Sequence, residues 1–198
     1  MFTERFEMAR KVTISRDIIL ENGLKMLIRD GYSAVNIKSL AAEIGCSTQP
    51  LVWHFENMEG LRKALAEYAR QYSKDRAVIP KGTSVEAIEA MGKNYVEMAL
   101  KEPNLFRFLY LGQNPLGNPF RLEDVVGVDG GAKLLADITR ETGISGRSAT
   151  RCIWNTVIYS HGIATMIVTG VLKTTESAAM AMVEYATDSF LRKEGARR

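Results

Sequence analysis

Cysteine is scarce in this chain of 198 residues, with two, Cys46 and Cys152, lying far apart. Neither belongs to a CxxC or Cys/His cluster, which excludes a zinc module and a disulfide framework. Histidine is equally scarce, with His54 and His161 alone, so no metal-ligand spacing exists, and no glycine-rich phosphate loop is present either. An enzyme pairing one of the thiols with one of these histidines would lack an activating cation beside the sulfur. The expectation is therefore no enzyme, no metal and no cofactor. The N-terminus lacks the apolar run of a signal peptide. The most hydrophobic segment, 152–172, is broken by Asn155, Ser160, His161 and several Thr and Gly, which argues against a membrane span. The expected setting is the cytoplasm, with thiols reduced. Charge of one sign is also missing. Residues 1–80 hold 12 Lys and Arg against 10 Asp and Glu, and the remainder 14 against 13. Any nucleic-acid reading must rest on local placement rather than bulk charge.

What is present is helical periodicity. A 46% hydrophobic content suffices for one domain, or for a small module fused to a larger one. No repeat, low-complexity tract or alternating strand pattern interrupts it, so the expected fold is all-α. Ser15 caps a first helix, with Ile14 and Ile19 as a hydrophobic staple, and Asp30-Gly31-Tyr32 ends it. Gly23 within it suggests close packing on the second helix. Asn36 caps that helix, Ile37 to Ile44. Gly45-Cys46-Ser47 turns into a third, Thr48 to Phe55, with Ser47 able to cap it and Pro50 in its first turn. A fourth helix runs from about Met58 to Arg76, and Pro80-Lys81-Gly82 breaks the chain. Later helices are expected over 84–100, 104–111, 129–142, 148–172 and 175–191, with 112–119 a loop. The domain boundaries that follow are 1–58, arm and three-helix unit; 59–80, connecting helix; and 81–198, a larger helical domain.

Two short helices joined by a glycine-containing turn form the pattern that lays a recognition helix in the major groove of double-stranded DNA. Leu40, Ala41 and Ile44 turn inward on the first of the pair, Leu51 and Phe55 on the second. That leaves Thr48, Gln49, Val52, Trp53 and His54 outward. Gln49 is suited to adenine N6 and N7, and Thr48 or Val52 to a thymine methyl. Lys38, Trp53 and His54 fall near phosphates or base edges, and Asn36 offers donors to phosphate at a helix start. The same geometry also occurs in proteins that never touch DNA.

The run from Ser15 to Leu61 resembles the DNA-binding domain of the tetracycline-repressor (TetR) family of bacterial transcription regulators. The resemblance rests on the capped first helix, Asp30-Gly31-Tyr32, Leu40-Ala41, Ile44-Gly45, Ser47, and above all Trp53-His54-Phe55 followed by Leu61. It implies a ligand-released, homodimeric repressor on an inverted-repeat operator, with a C-terminal helical domain for ligand binding and dimerisation. It also implies contact positions at Lys38, Thr48, Gln49, Trp53 and His54. Two positions depart from the pattern. Val52 stands where the family usually has a phosphate-contacting Tyr, and Met58, between Glu56 and Glu59, where it usually has a phosphate-contacting Lys. The cation lost at Met58 in each half-site should lower the salt slope by roughly 0.9 per contact, unless an arm carrying Arg5, Arg10 and Lys11 compensates.

The C-terminal half is less specific. His161-Gly162 in an apolar helix resembles a His-Gly stretch of some family members. Apolar stripes on that helix and the last one predict a dimer interface through Ile153, Val157, Ala164, Ile167, Met182, Ala186 and Phe190. Met91, Tyr95, Met98, Phe106, Tyr110, Trp154, Tyr159 and His161, with Met166, are candidates to line a pocket for a small, mainly apolar ligand. Side chains of this kind at helical spacing equally describe a core. The competing expectation is a helical small-molecule- or partner-binding protein whose DNA binding is weakened or lost, for which Val52 and Met58 speak.

Overall fold

Capping decides where the helices begin. In the computed structural model, which describes residues 14–76, 82–113 and 129–196, α1 (Arg16–Asp30) starts where the Ser15 hydroxyl accepts from the Ile18 N–H at 3.3 Å. Such a cap contributes about 1 kcal/mol. Ile14 and Ile19 join the same core cluster, as a staple requires. A single 3-10 turn, Tyr32–Ala34, leads to α2 (Ile37–Ile44), where Asn36 and Ser39 form a reciprocal capping box. Gly45, left-handed at φ 76°, ends α2, and the Cys46 N–H returns to the Ala41 carbonyl at 2.9 Å. A residue with a Cβ would be strained in that conformation.

The third helix, α3 (Gln49–Phe55), departs from expectation at its start. Thr48, not Ser47, is the flanking residue, and no side chain caps it. Pro50 in the first turn removes one donor that would otherwise need a partner. Helix α4 (Met58–Arg76) is capped by Asn57, whose Oδ1 accepts from the N–H groups of Glu59 and Gly60. It packs on α1 and α3.

The remaining helices are α5 (Ser84–Lys101), α6 (Pro103–Tyr110), α7 (Asp129–Thr142), α8 (Gly146–Val168) and α9 (Glu176–Lys193). Among the described residues there is no strand. Helix α8 begins earlier than its apolar period suggests because Ser145 caps it, its hydroxyl accepting from the Ser148 N–H. It ends earlier too, with Gly170 left-handed just beyond Thr169. The expected arm with Arg5, Arg10 and Lys11, the break at Pro80-Lys81 and most of the 112–119 loop lie outside the described residues.

Two cores result. The first joins α1 to α4 through Ile19, Leu27, Leu40, Leu51, Leu61 and Leu65. The second lies where α5, α8 and α9 pack together, with Val96, Ala164 and Val183 inside, and it continues toward α7 through Ile88, Ile138 and Ile153. Helix α6 belongs to both. Leu105, Phe108 and Leu109 complete the first core, while Phe106 enters the second. A domain division at residue 81 therefore cuts through shared packing. Polar bonds reinforce the bridge: Asn104 Nδ2 donates to the carbonyls of Ile28 and Arg29 at the end of α1, and Arg107 donates to Asn104 Oδ1 and to the Val168 carbonyl.

Glycine has a different role in each core. Gly23 is buried against Leu40 of α2 and Leu65 of α4, but an added Cβ would stand 3.5 and 3.4 Å from their methyls, so the packing there does not require glycine. Gly92 in α5 stands at a close helix crossing that does. A Cβ there would come within 2.7 Å of Ser160 Oγ on α8 and 2.8 Å of Val183 Cγ1 on α9.

Candidate nucleic-acid interface and cleft

The α2–turn–α3 unit presents one face to the core and one to solvent. Leu40, Ala41, Leu51 and Phe55 are buried. Lys38, Thr48, Gln49 and Val52 are exposed, and Trp53 is 76% exposed, a costly surface for an indole, although its ring meets that of His54 edge-on at 4.6 Å. Thus five of the predicted contact residues share one accessible surface. The other two have structural work. Asn36 spends its side chain on the capping box. His54 is half-buried, its Nε2 bonded to the Ile14 carbonyl at 2.9 Å, which ties the start of α1 to the recognition helix. Met58 is half-buried against the first core, so it is a packing residue where a cation would reach out. Glu56 takes φ 64°, the one positive value outside glycine among the described residues, and this tight turn separates α3 from α4.

Sequence reasoning missed Arg16. Its guanidinium lies 5.5 Å from the centre of the Phe55 ring, beside the end of α3. The signal was a cation in the first turn of α1, which only the fold brings beside the recognition helix. Arg29, by contrast, is engaged by Asp30 and in bidentate fashion by Glu43.

A half-open cleft of about 480 Å³ lies between the end of α4 and the α5–α6 corner. Of the predicted pocket residues, Met91, Tyr95, Met98 and Tyr110 line it. Phe106 is fully buried behind it, stacked edge-on to Tyr95 at 5.1 Å. His161 stands one layer back, its Nδ1 2.8 Å from the Tyr95 hydroxyl. Burial lowers the His161 pKa and raises that of Tyr95 well above its ordinary value, so both are neutral near pH 7. Trp154 and Tyr159 do not reach the cleft. Trp154 packs on the core around Ile138, and Tyr159 meets Phe190 edge-on. Met166 is exposed on α8.

The other lining residues are Tyr72, Ser73, Arg76, Asn94, Glu97, Lys101 and Glu102. Glu102, only 16% exposed, accepts from the Tyr72 hydroxyl at 2.9 Å and from Arg76 Nη1 at 2.8 Å. Sequence reasoning missed this half-buried carboxylate, because Glu102 sits at a helix junction and meets α4 only in the fold.

The predicted dimer stripe divides. Ile153 and Ala164 are buried in the protomer's own cores and Ala186 is also buried, so these three offer little surface to a partner, a correction that follows from α8 packing on both α5 and α9. Val157, Ile167, Met182 and Phe190 are half-buried. The exposed apolar side chains are instead Ile158, Tyr159 and Met166 on α8 and Tyr185 on α9. Among the described residues no helix is long and apolar enough to cross a membrane, and no group of His, Cys, Asp and Glu is placed to hold a metal ion. The Cys152 thiol is pushed up to about 11, chiefly by burial, so it stays protonated.

Comparison with known proteins gives this geometry a context. Residues 19–65 match the profile of bacterial regulatory proteins of the tetR family. An uncharacterised HTH-type transcriptional regulator of Mycobacterium tuberculosis is 35% identical over 57 residues, which is 29% of this chain and 26% of that protein. The chain thus aligns with about a quarter of its curated relative's length. Among solved structures, a TetR variant from Acinetobacter baumannii in complex with minocycline superposes with a TM-score of 0.56 at 15% identity, over 90% of this chain and 95% of that one. A TetR-like transcriptional regulator from Rhodococcus gives 0.59 at 14% identity, over 88% and 93%. A Rhodococcus protein of unknown function gives 0.59 at 23%, over 98% and 100%. The N-terminal unit is a tetR-family domain, and the whole chain has the fold of these regulators.

Proposed function

We propose that this chain, with its tetR-family N-terminal domain, is a homodimeric DNA-binding transcriptional repressor that releases its operator on binding a small, mainly apolar ligand. It acts in the cytoplasm, where the DNA is. The observation that carries the reading is the outward face of α3. Thr48, Gln49, Val52 and Trp53 are all exposed, as is Lys38 on α2, while Leu51 and Phe55 of the same helix are buried. Gln49 reads adenine, Val52 and Trp53 supply apolar contact to thymine methyls, and Lys38 and Arg16 meet phosphate. His54 and Asn36 fix the orientation of the two helices rather than read bases.

Two copies must present their recognition helices about 34 Å apart to engage successive major grooves. The exposed Ile158, Tyr159, Met166 and Tyr185 provide a self-complementary apolar face for that dimer. The α4–α5–α6 cleft is the ligand site. It lies against α4, which packs on α1 and α3, so a ligand with different affinity for two positions of α4 shifts the spacing of the recognition helices.

Selection of the purified protein on random duplex DNA, followed by salt titration, tests the reading. An enriched inverted repeat is expected. No enrichment at low salt would overturn it in favour of a helical small-molecule- or partner-binding protein with lost DNA binding, which the packing role of Met58 and the absence of a hydroxyl at Val52 favour.

A further inference from the structure

The Arg76 guanidinium occupies a small box at the edge of the cleft. It lies over the Tyr72 ring, 4.9 Å from its centre, and bonds both the Tyr72 hydroxyl and the Glu102 carboxylate. All three residues line the cleft. Aromatic face, carboxylate and apolar surround are what a lipophilic organic cation needs, and the chain fills that place with a cation of its own.

The two halves of the ion pair differ in how easily they can be left. The Arg76 side chain is 57% exposed and Glu102 16%. Arg76 can swing into water at little cost, because an exposed pair is worth little. For Glu102 water is less easily regained, and a half-buried carboxylate stripped of its cation carries a penalty that an exposed guanidinium does not. An incoming cation that replaces Arg76 keeps Glu102 paired. An incoming anion that captures Arg76 strands Glu102. The second cleft cation, Lys101, is already held by Glu97 and Glu176, so it offers an anion no vacant partner. Tyr95 and Tyr110 add further ring surface on the inner side, tilted against each other with centres 4.7 Å apart.

We infer that the cleft takes an aromatic or otherwise lipophilic organic monocation, which displaces Arg76 from Tyr72 and Glu102. This rests on the ligand-responsive reading above but is read without DNA, so the two fail separately. The displaced Arg76 belongs to the last turn of α4, which gives the ligand its grip on the helix beneath the DNA-binding unit.

The test is fluorescence titration of the full chain with ethidium, an aromatic monocation, and with 8-anilinonaphthalene-1-sulfonate, an anion of similar size. Ethidium should bind the native protein and bind Arg76→Gln severalfold tighter, because the internal competitor is gone. Glu102→Gln should weaken it by about tenfold or more, the loss of a charge-assisted contact and a cation–π partner's counter-charge. Thermal melts by circular dichroism check folding. Should Glu102→Gln not fold, Tyr72→Leu replaces it and is expected to weaken ethidium in the same direction. Absence of ethidium binding, weaker binding in Arg76→Gln, or unchanged binding in the folded Glu102→Gln or Tyr72→Leu variant overturns the inference. So does tight binding of the anion that Arg76→Gln abolishes.

Discussion

The two cores of this molecule are built on different terms. In the N-terminal one, α1, α2 and α4 announce themselves locally: side chains cap all three, a left-handed glycine ends α2, and Leu or Ile residues at helical spacing fill the centre. In the C-terminal one, α5, α8 and α9 meet through small residues, with Gly92, Ser160, Thr156 and Ala164 allowing the approach. Both have capped helices, with Thr83, Ser145 and Thr175 serving α5, α8 and α9, but the second adds close helix contact. At the glycines buried between helices, Gly23 has room for a methyl and Gly92 has none, and that contrast can be tested.

The largest effects should come from α6, where the cores share a helix. Phe108→Ala removes a fully buried ring from the first core and Phe106→Ala one from the second, each costing about 3–5 kcal/mol. Denaturant unfolding should register both losses. Native-state hydrogen exchange should accelerate first in α1 and α4 for Phe108→Ala, and in α5 and α8 for Phe106→Ala. Identical patterns for the two variants would dissolve the distinction between the cores.

The mid-helix glycines sharpen it. Gly92→Ala forces its methyl against Ser160 and Val183 and should cost roughly 1–3 kcal/mol. Gly23→Ala has ordinary contact distance to Leu65 and Leu40 and should be neutral or stabilising, by up to about 1 kcal/mol of helix propensity. Melting temperatures shifted in opposite directions are the expected result.

On the selected operator, Gln49→Ala should lose about 1–3 kcal/mol and relax specificity at one base pair of each half-site, whereas Lys38→Ala should weaken all sequences and lower the salt slope by about 1 per site. Met58→Lys should raise that slope by roughly 0.9 per half-site, read by fluorescence anisotropy across a salt series.

Acid should produce the smallest effects, and in different ranges. The native His161 pKa lies below its ordinary 6.5 because of burial. The unfolded chain therefore binds the proton more readily, and this contribution to stability declines as pH falls below about 6.5. Glu194, held at about 2 chiefly by its bond to Arg151 against an ordinary 4.5, contributes stability above 4.5 that is lost as pH falls toward 2. His161→Asn should flatten the first decline and Glu194→Gln the second in melts across pH.

The N-terminal elements were legible because caps and turns act within four or five residues: the bounds of α1, α2 and α4 follow from Ser15, Asn36, Gly45 and the Leu61–Leu65 spacing. The same logic failed at Ser47, since the turn leaves Thr48 flanking α3 without a side-chain bond. At the DNA face, inward and outward residues were separable by period alone. The anchoring of His54 to Ile14 was not, because that bond spans forty residues of chain. In the cleft, the aromatic and Met lining residues on α5 and α6 could be guessed from composition, but Trp154 and Tyr159 could not be told from them. Apolar character says that a side chain will be covered and leaves open by what.

By itself, the sequence determined an all-helical chain, the position and face of the helix-turn-helix, and the uncharged side chains at Val52 and Met58, since capping, period and residue chemistry are local quantities. Only the tertiary structure decided that α6 serves both cores, that Ile153, Ala164 and Ala186 are interior while Ile158 and Tyr185 face solvent, and that Arg76, Tyr72 and Glu102 meet. Each of these depends on which helix lies beside which, and that choice is made by packing across the whole chain.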